Sequence, residues 1–493
     1  MLFNSLQYIA FFIMVVSFYF TIPHRFRWIF LLAASYYFYM CWKVEYIFLI
    51  IISTIIAYVT GILMGRKQSR KSRRKYLILS IVINLGLLFV FKYFNFFNDS
   101  LRELFNTFNN FYGIPAFNLL LPVGISFYTF QTLSYSIDVY RGKRPPERSL
   151  GMFALYVSFF PQLVAGPIER STRLLPQFFE KKDFDYQRVT SGLKLMAWGM
   201  FKKVVIADRL AVVVNRVYGS PEEFSGIAIL IATFFFAYQI YCDFSGYTDI
   251  PIGTARVLGL SLMVNFQRPY FAESIREFWR RWHISLSTWF RDYLYISLGG
   301  NRVKLPRYCT NLFIVFIICG LWHGDNWTFI IWGALHGSYM IISVITADLR
   351  TRVITLSGLS KLPLLHRVLK TIITFILVCF GWIFFRADSL NDAIYLINNS
   401  LMGIRTLILN ITDIAYVRNV LGGLGINSFE LKISFLLIIS LELVHLAQEN
   451  DTLKAKLKSV PAWARWATYY VLTGVFLLFG SFNSGQDFIY FQF

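Results

Sequence analysis

EYIFLIIISTIIAYVTGILMG, residues 45–65, runs straight into RKQSRKSRRK, Arg66–Lys75, and this junction decides the class of fold. The first stretch is apolar after Glu45 and has the length, roughly 20 residues, that carries a helix across a hydrocarbon core. The second is a short, strongly basic loop, and loops of that kind stay on the cytoplasmic side of a membrane. Two further apolar stretches precede it, near 2–22 and 26–42. If all three cross, the N-terminus lies outside. The opening MLFNSLQYIAFFIMVVSFYF lacks the basic n-region and small-residue cleavage site of a signal peptide, so it reads as a retained first span. Residues 76–97 form a fourth span, and residues 98–116, with Asn98, Asp99 and Arg102, an outer connection. The run 118–138 returns inward and ends in YRGKRPPER, Tyr140–Arg148, a second basic loop. Both basic loops then fall on one side, which supports the topology.

Composition agrees. The 493 residues are 56% hydrophobic and 15% charged, with 51 phenylalanines. A soluble domain averages about 25% charged residues, so the excess apolar surface here calls for lipid. Helices are expected, because backbone groups in lipid must satisfy one another, and the alternating ten-residue segments of a barrel are missing. The net charge of +21 sits mainly in short loops and at the ends of apolar runs. That placement points to topology and anionic headgroups rather than nucleic acid. The five cysteines, Cys41, Cys242, Cys309, Cys319 and Cys379, form no close pair, so neither a zinc site nor a disulfide framework is indicated.

Beyond the second basic loop the pattern is less regular. SFFPQLVAGPIER, Ser158–Arg170, carries Pro161, Gly166 and Pro167 inside an apolar stretch and reads as a re-entrant or interfacial segment lining a cavity. Residues 171–190 are polar. Spans or buried helices follow near 192–215 and 225–242, then an Arg- and Trp-rich region, 263–302, of interfacial character. Apolar helices recur near 310–322, 326–346, 368–386, 431–447 and 465–482. The expectation is an all-α polytopic membrane protein with about eleven membrane helices by length, in one domain over 1–493.

Polar groups at membrane depth are functional candidates. Of the six histidines, His24 and His366 are flanked by arginines and read as loop residues, and His445 reads as interfacial beside Gln448 and Glu449. His323 lies in CGLWHGDNWTF, where an apolar helix meets Gly320, Gly324, Asp325 and Asn326. A neutral imidazole in a water-poor cavity can take a proton from a hydroxyl; a structural role stays open on the residues alone. His283 lies in REFWRRWHISLSTWFRDYL, where a continuous helix would place Trp279, His283 and Ser287 on one face, with Arg280, Arg281 and Arg291 available to phosphates or headgroups. An aromatic belt with snorkelling arginines is the competing account. His336 comes thirteen positions after His323. On one continuous helix that is about 20 Å, too far to share a reacting centre, unless the polar break after Gly324 folds the chain back.

Five stretches together carry a family resemblance: LPVGISFYTFQTLSYSIDVYRG (121–142), FFPQLVAGPIER (159–170), DFSGYTDIPIGTARVLG (243–259), FWRRWHISLSTWFRDYLYISLGGNR (278–302) and GLWHGDNWTF (320–329). With them the chain resembles the membrane-bound O-acyltransferase superfamily, in particular its alginate O-acetyltransferase-like branch. The resemblance implies helices around a transmembrane tunnel, with a catalytic core over about 120–350. It maps the family's histidine onto His323 and a second polar position, about forty residues upstream, onto His283, and leaves His336 a packing or secondary role. It implies an enzyme of a bacterial cytoplasmic (inner) membrane that binds no cofactor or metal. The acyl group, usually acetyl, would come from a cytoplasmic thioester such as acetyl-CoA and end on an extracytoplasmic polysaccharide through an esterase-like partner protein. His323 would be the base and His283 an orienting group. Arg280, Arg281, Trp282, Ser287, Asp325, Asn326 and His336 are candidates for the donor site or tunnel wall. The tail over 483–493, ending GQDFIYFQF, is similar to the tyrosine-containing C-terminal motif of this branch, so Tyr490 becomes a candidate acyl relay, against an aromatic membrane anchor.

Three other readings compete. A glycan or lipid transporter explains the spans and basic loops but not the paired WHISLS and GLWHG elements, and no repeated halves are apparent. A scaffold gives no reason for histidines at membrane depth. D-alanyl transfer to teichoic acid stays within the family, and chain length and the intrinsic tail favour acetyl.

Overall fold

The structure, a computed structural model, describes residues 1–493 except 118, 165, 403, 411, 414–421, 450–459, 481–487 and 490–493. Regular structure among the described residues is helical throughout. Among the described residues six helices are long and apolar enough to cross a membrane by length and composition, and the chain is a multi-pass membrane protein. The first helices are α1 (Leu6–Thr21), α2 (His24–Met40), α3 (Ile47–Gly65), α4 (Arg70–Leu88), α5 (Phe94–Thr107) and α6 (Ile125–Arg141). A π-turn, Phe89–Tyr93, joins α4 to α5, so the fourth span runs on as helix to Thr107 where the sequence suggested a connecting loop from 98 onward. The apolar face of that segment favours extending the helix, since in lipid an unpaired backbone is costly.

Polar side chains tie this half together. Asn84 of α4 accepts from Ser53 of α3 at 2.5 Å and from Thr132 of α6 at 3.2 Å, and Ser80 bonds Ser136 at 2.9 Å. Between helices in lipid, hydrophobic surface gives little preference for protein over acyl chain, so such bonds and close packing decide which faces meet.

The middle of the chain starts with α7 (Leu150–Ser158), the one-turn α8 (Phe160–Leu163) and α9 (Ser171–Phe179). The Pro- and Gly-bearing segment is thus a broken, buried helix pair. Next come α10 (Tyr186–Met200), a π-turn over Phe201–Ala207, and α11 (Asp208–Gly219). The long α12 (Ile227–Val257) is the hub: 78% of its apolar window is enclosed by protein, against 28–44% for the other five spanning candidates. α10 lies against it so closely that a Cβ on Gly199 would stand 2.6 Å from the Gly246 carbonyl oxygen.

Two short helices, α13 (Ile275–Arg281) and α14 (Ile284–Trp289), lead to the hairpin of α15 (Leu305–His323) and α16 (Trp327–Ile345). The chain does fold back after Gly324. Gly320 and Gly333 let the two backbones touch, since a Cβ on Gly320 would meet the Phe329 carbonyl oxygen at 2.2 Å and one on Gly333 the Phe316 carbonyl oxygen at 2.3 Å. Then follow α17 (Ala347–Leu356), α18 (Pro363–Arg386), α19 (Leu390–Asn399), α20 (Ile404–Leu409), and helices Ser428–Glu449 and Ala462–Phe479. His24 and His366 sit in the first turns of α2 and α18 rather than in loops. His445 is buried, with its Nε2 3.1 Å from the Tyr241 hydroxyl and Nδ1 3.4 Å from Glu442. The Arg- and Trp-rich region is likewise split: Trp279 and Trp282 are core residues, while Arg280 is exposed.

Candidate active site

The fold-back brings the histidines together. The ring centroids of His283 and His323 lie 6.4 Å apart. Trp332 of α16 stands 5.0 Å from His323 on one side and 4.9 Å from His336 on the other. His336 accepts at Nδ1 from the Trp279 indole N–H, 3.2 Å away. The result is a file, His283, His323, Trp332, His336, through the buried centre, in which all three histidines are at most 3% exposed.

His283 does not share a helical face with Trp279 and Ser287. It is the break residue between α13 and α14, with φ 42° and ψ 55°. Left-handed backbone is uncommon outside glycine and worth holding only where surroundings enforce it. Asn265 does so. Its carbonyl oxygen accepts from Ile284 N–H at 2.9 Å, and its Oδ1 accepts from Ser285 N–H at 3.1 Å and faces His283 Nδ1 at 3.2 Å. An amide oxygen can only accept, so Nδ1 carries the proton and Nε2 is the basic nitrogen. The break turns Trp279 toward His336 and His283 toward His323. Asn265 was not singled out from the sequence, where an Asn eighteen residues before a His carries no periodic signal.

His323 is the last residue of α15. Its ring is held by Trp322 at 5.0 Å and Phe385 at 5.2 Å besides Trp332. Lys92, on the π-turn between α4 and α5, donates to the Trp322 and His323 carbonyl oxygens at 2.9 and 3.0 Å. A cation at the carbonyl end of a helix complements its dipole and satisfies orphan acceptors. Lys92 is a second residue the sequence reading missed. An extra residue in a helical turn shifts the register, which a 3.6-residue periodicity does not reveal.

A cavity of about 340 Å³ reaches His323, Trp322 and Lys92 from the end of the molecule opposite the two basic loops, lined also by Trp42, Ser126 and Phe127. At the basic end lies a separate basin of about 460 Å³, lined by Gln267, Arg268, Ser274, Arg276, Glu277, Arg280 and Arg281. Arg281 pairs with Glu277 at 2.7 Å. At the rim of the basin Glu273 pairs with Lys370 at 2.7 Å and Arg367 at 3.3 Å, and the Lys370 ammonium holds its carboxyl below the usual range. The cavity and the basin share no lining residue. Trp282, which separates Arg281 of the basin from His283 along the chain, is 1% exposed and packed on Phe266, Phe278 and Trp382.

The remaining candidates divide. Ser287 bonds the Trp282 carbonyl at 3.2 Å. Asn326 caps α16, accepting from Thr328 N–H at 3.0 Å, and donates to the Asp388 carbonyl at 2.9 Å. Asp325 is exposed at the hairpin turn. Tyr490 lies outside the described residues, but Phe488 and Ile489 just before it are each 1% exposed. No group of His, Cys, Asp and Glu among the described residues could hold a metal ion.

The sequence model described as "MBOAT, membrane-bound O-acyltransferase family" matches residues 147–385. The "Probable alginate O-acetylase AlgI" of Pseudomonas aeruginosa is 43% identical over 344 residues, 69% of this chain and 63% of that protein, so the match spans less than two thirds of the relative's length. The "Peptidoglycan O-acetyltransferase" of Helicobacter pylori is 36% identical over 371 residues, 70% of this chain and 68% of that protein. The "Teichoic acid D-alanyltransferase" of Streptococcus thermophilus is 28% identical over 247 residues, 46% of this chain and 57% of that protein. His283, His323 and His336 fall inside the stretch the family model matches, and Lys92 and the C-terminal tail outside it. With this agreement over most of its length, and with a histidine hairpin buried among its helices, the chain belongs to the membrane-bound O-acyltransferase family.

Proposed function

We propose that the protein is an O-acetyltransferase of a bacterial cytoplasmic membrane that moves acetyl from a cytoplasmic thioester toward an extracytoplasmic polysaccharide. The observation that carries this is the placement of His323: deep in the helix bundle, on the wall of a cavity open toward the end opposite the basic loops. A charged thioester such as acetyl-CoA cannot cross lipid, and a polymer outside cannot enter the bundle. A small acyl group passing a buried imidazole solves both problems. The donor docks at the arginine basin, where Arg280 and Arg281 offer charge-assisted bonds to phosphate oxygens. The acyl group then passes Trp282, whose indole must shift to admit it.

His323 acts as general base. It takes the proton from an acceptor hydroxyl as that oxygen attacks the thioester carbonyl. The carbon–sulfur bond breaks, and the thiolate leaves and is reprotonated. His283, its Nε2 basic, orients or stabilises the reacting groups at the neighbouring position. General base catalysis contributes about 10²–10⁴-fold, so positioning supplies much of the remainder. The acceptor inside the bundle is the Tyr490 hydroxyl, which relays acetyl to an extracytoplasmic esterase-like partner protein, and the partner to polymer. Burial of Phe488 and Ile489 beside the core supports a tail that enters the bundle rather than one lying on a membrane surface. Acetyl is favoured over D-alanyl by the relatives: identity is 43% and 36% to the two O-acetylating proteins and 28% to the D-alanyltransferase.

The test is His323→Ala in the full chain, with membrane insertion verified. Loss of polymer acetylation and of thioester consumption is expected, and full acetyl transfer by that variant would remove His323 from the chemistry. Tyr490→Phe keeps the aromatic bulk without the hydroxyl, and unchanged polymer acetylation there would rule out the relay.

A further inference from the structure

Lys203 lies at the bundle centre in an ion cluster that the proposed chemistry does not use. Its Nζ is 2.8 Å from Asp208 Oδ1 and 2.8 Å from Asp243 Oδ1, and the three side chains are 2%, 5% and 3% exposed. The π-turn over Phe201–Ala207 makes this possible, because it leaves both Lys202 and Lys203 buried. Lys202 reaches Asp249 at 2.7 Å and Ser245 at 2.9 Å. Ion pairs at membrane depth are expensive, and apolar residues of equal volume would hold two helices together at least as well. Such a cluster calls for a purpose beyond packing.

Two carboxylates face one ammonium, so the cluster has acceptor capacity to spare. The second oxygen of Asp243, Oδ2, accepts the backbone N–H of Ile489 at 2.8 Å. The preceding residue, Phe488, lies flat on Tyr247 with centroids 4.2 Å apart and planes 11° apart. We propose that Asp243, held by Lys203 and Asp208, together with Tyr247, forms a docking site for an extended aromatic peptide, occupied here by the chain's own Phe488 and Ile489.

The recognition is of two kinds. Asp243 reads the main chain through a charge-assisted bond, which fixes register, and Tyr247 reads an aromatic ring by stacking. The site is one ring away from the histidines: Phe244, the neighbour of Asp243, packs edge-on against His283 at 4.7 Å and lies 5.9 Å from Phe488. The residue after Ile489 in the sequence is Tyr490. The dock therefore sets where that hydroxyl enters the chemistry. Its purpose rests on the relay reading, but its existence is tested without turnover.

In the full chain, Ile489→Cys retains the backbone N–H and places a thiol at the dock. Its labelling by a maleimide, resolved at that site by mass spectrometry of the C-terminal peptide, reports how often the tail leaves. Labelling should be slow in the Ile489→Cys chain and rise about tenfold or more when Asp243→Asn removes the charge or Tyr247→Leu removes the stack. Asp138→Asn, a buried carboxylate bonded to Tyr293 elsewhere, should leave it unchanged. Equal labelling in the Ile489→Cys chain with and without either dock substitution overturns the proposal. Should Asp243→Asn fail to insert, Tyr247→Leu alone decides. A failed relay, seen as intact acetylation in Tyr490→Phe, leaves the labelling result standing.

Discussion

The ammonium of Lys92 donates to the backbone carbonyl of His323 at 3.0 Å, joining residues 231 positions apart. Through this bond the π-turn that joins α4 to α5 fixes the end of α15, and so the direction of the imidazole. Lys92→Met keeps the length of the side chain and removes both bonds. Thioester consumption is expected to fall about tenfold or more, and a thermal melt in detergent to shift downward, since carbonyls left unsatisfied cost about 1–3 kcal/mol. A variant with full activity would show that His323 needs no such support.

Asn265 should matter through tautomer and backbone. Asn265→Leu removes the Oδ1 acceptor that fixes the Nδ1 proton of His283, and should reduce acetyl transfer on the order of tenfold or more. Asn265→Asp keeps an acceptor there and should retain most activity. Equal rates in the two variants would argue that His283 tautomer is irrelevant.

The arginine basin is expected to act on donor binding alone. With Arg280 and Arg281 both replaced by Gln, KM for the thioester should rise about tenfold with kcat little changed, and the rise should shrink as salt is added to the parent. A fall in kcat at constant KM would place these arginines elsewhere in the reaction.

Trp282→Ala should open the partition between the basin and the histidines. The expected outcome is faster consumption of thioesters with longer acyl chains relative to acetyl. The stability loss would be about 3–5 kcal/mol, as for large-to-small core changes. Unchanged acyl preference would indicate that the acyl group takes another route.

Gly320→Ala places a methyl 2.2 Å from the Phe329 carbonyl oxygen, and a backbone atom cannot step aside like a flexible side chain. The hairpin should splay, with destabilisation of about 1–3 kcal/mol or more and loss of transfer. Retention of the parent's melting temperature would contradict the close backbone contact.

Hydrophobic length and basic loops settled on their own that this chain is helical and crosses a membrane several times, because apolar runs and charge are local properties that lipid reads directly. The spans near 326–346 and 368–386 lie close to α16 and α18 for that reason. The GLWHG motif made His323 a candidate, but on the residues alone a structural role stayed open, and its assignment as base rested on the family resemblance. Only the folded chain decided the rest. Whether His323 and His336 could approach one reacting centre depended on the turn at Gly324–Asn326, and their shared contact with Trp332 depended on glycines in two helices meeting. His283 left the expected helical face where Asn265, distant in periodicity, accepts from the backbone N–H groups of Ile284 and Ser285 just after it. Lys92, Lys203 and Asp243 gain their partners through π-turns and contacts as many as 246 residues apart. Such contacts are set by which faces of the helices meet, and in lipid that choice is made by small residues and polar bonds between segments, not by hydrophobicity along any one of them.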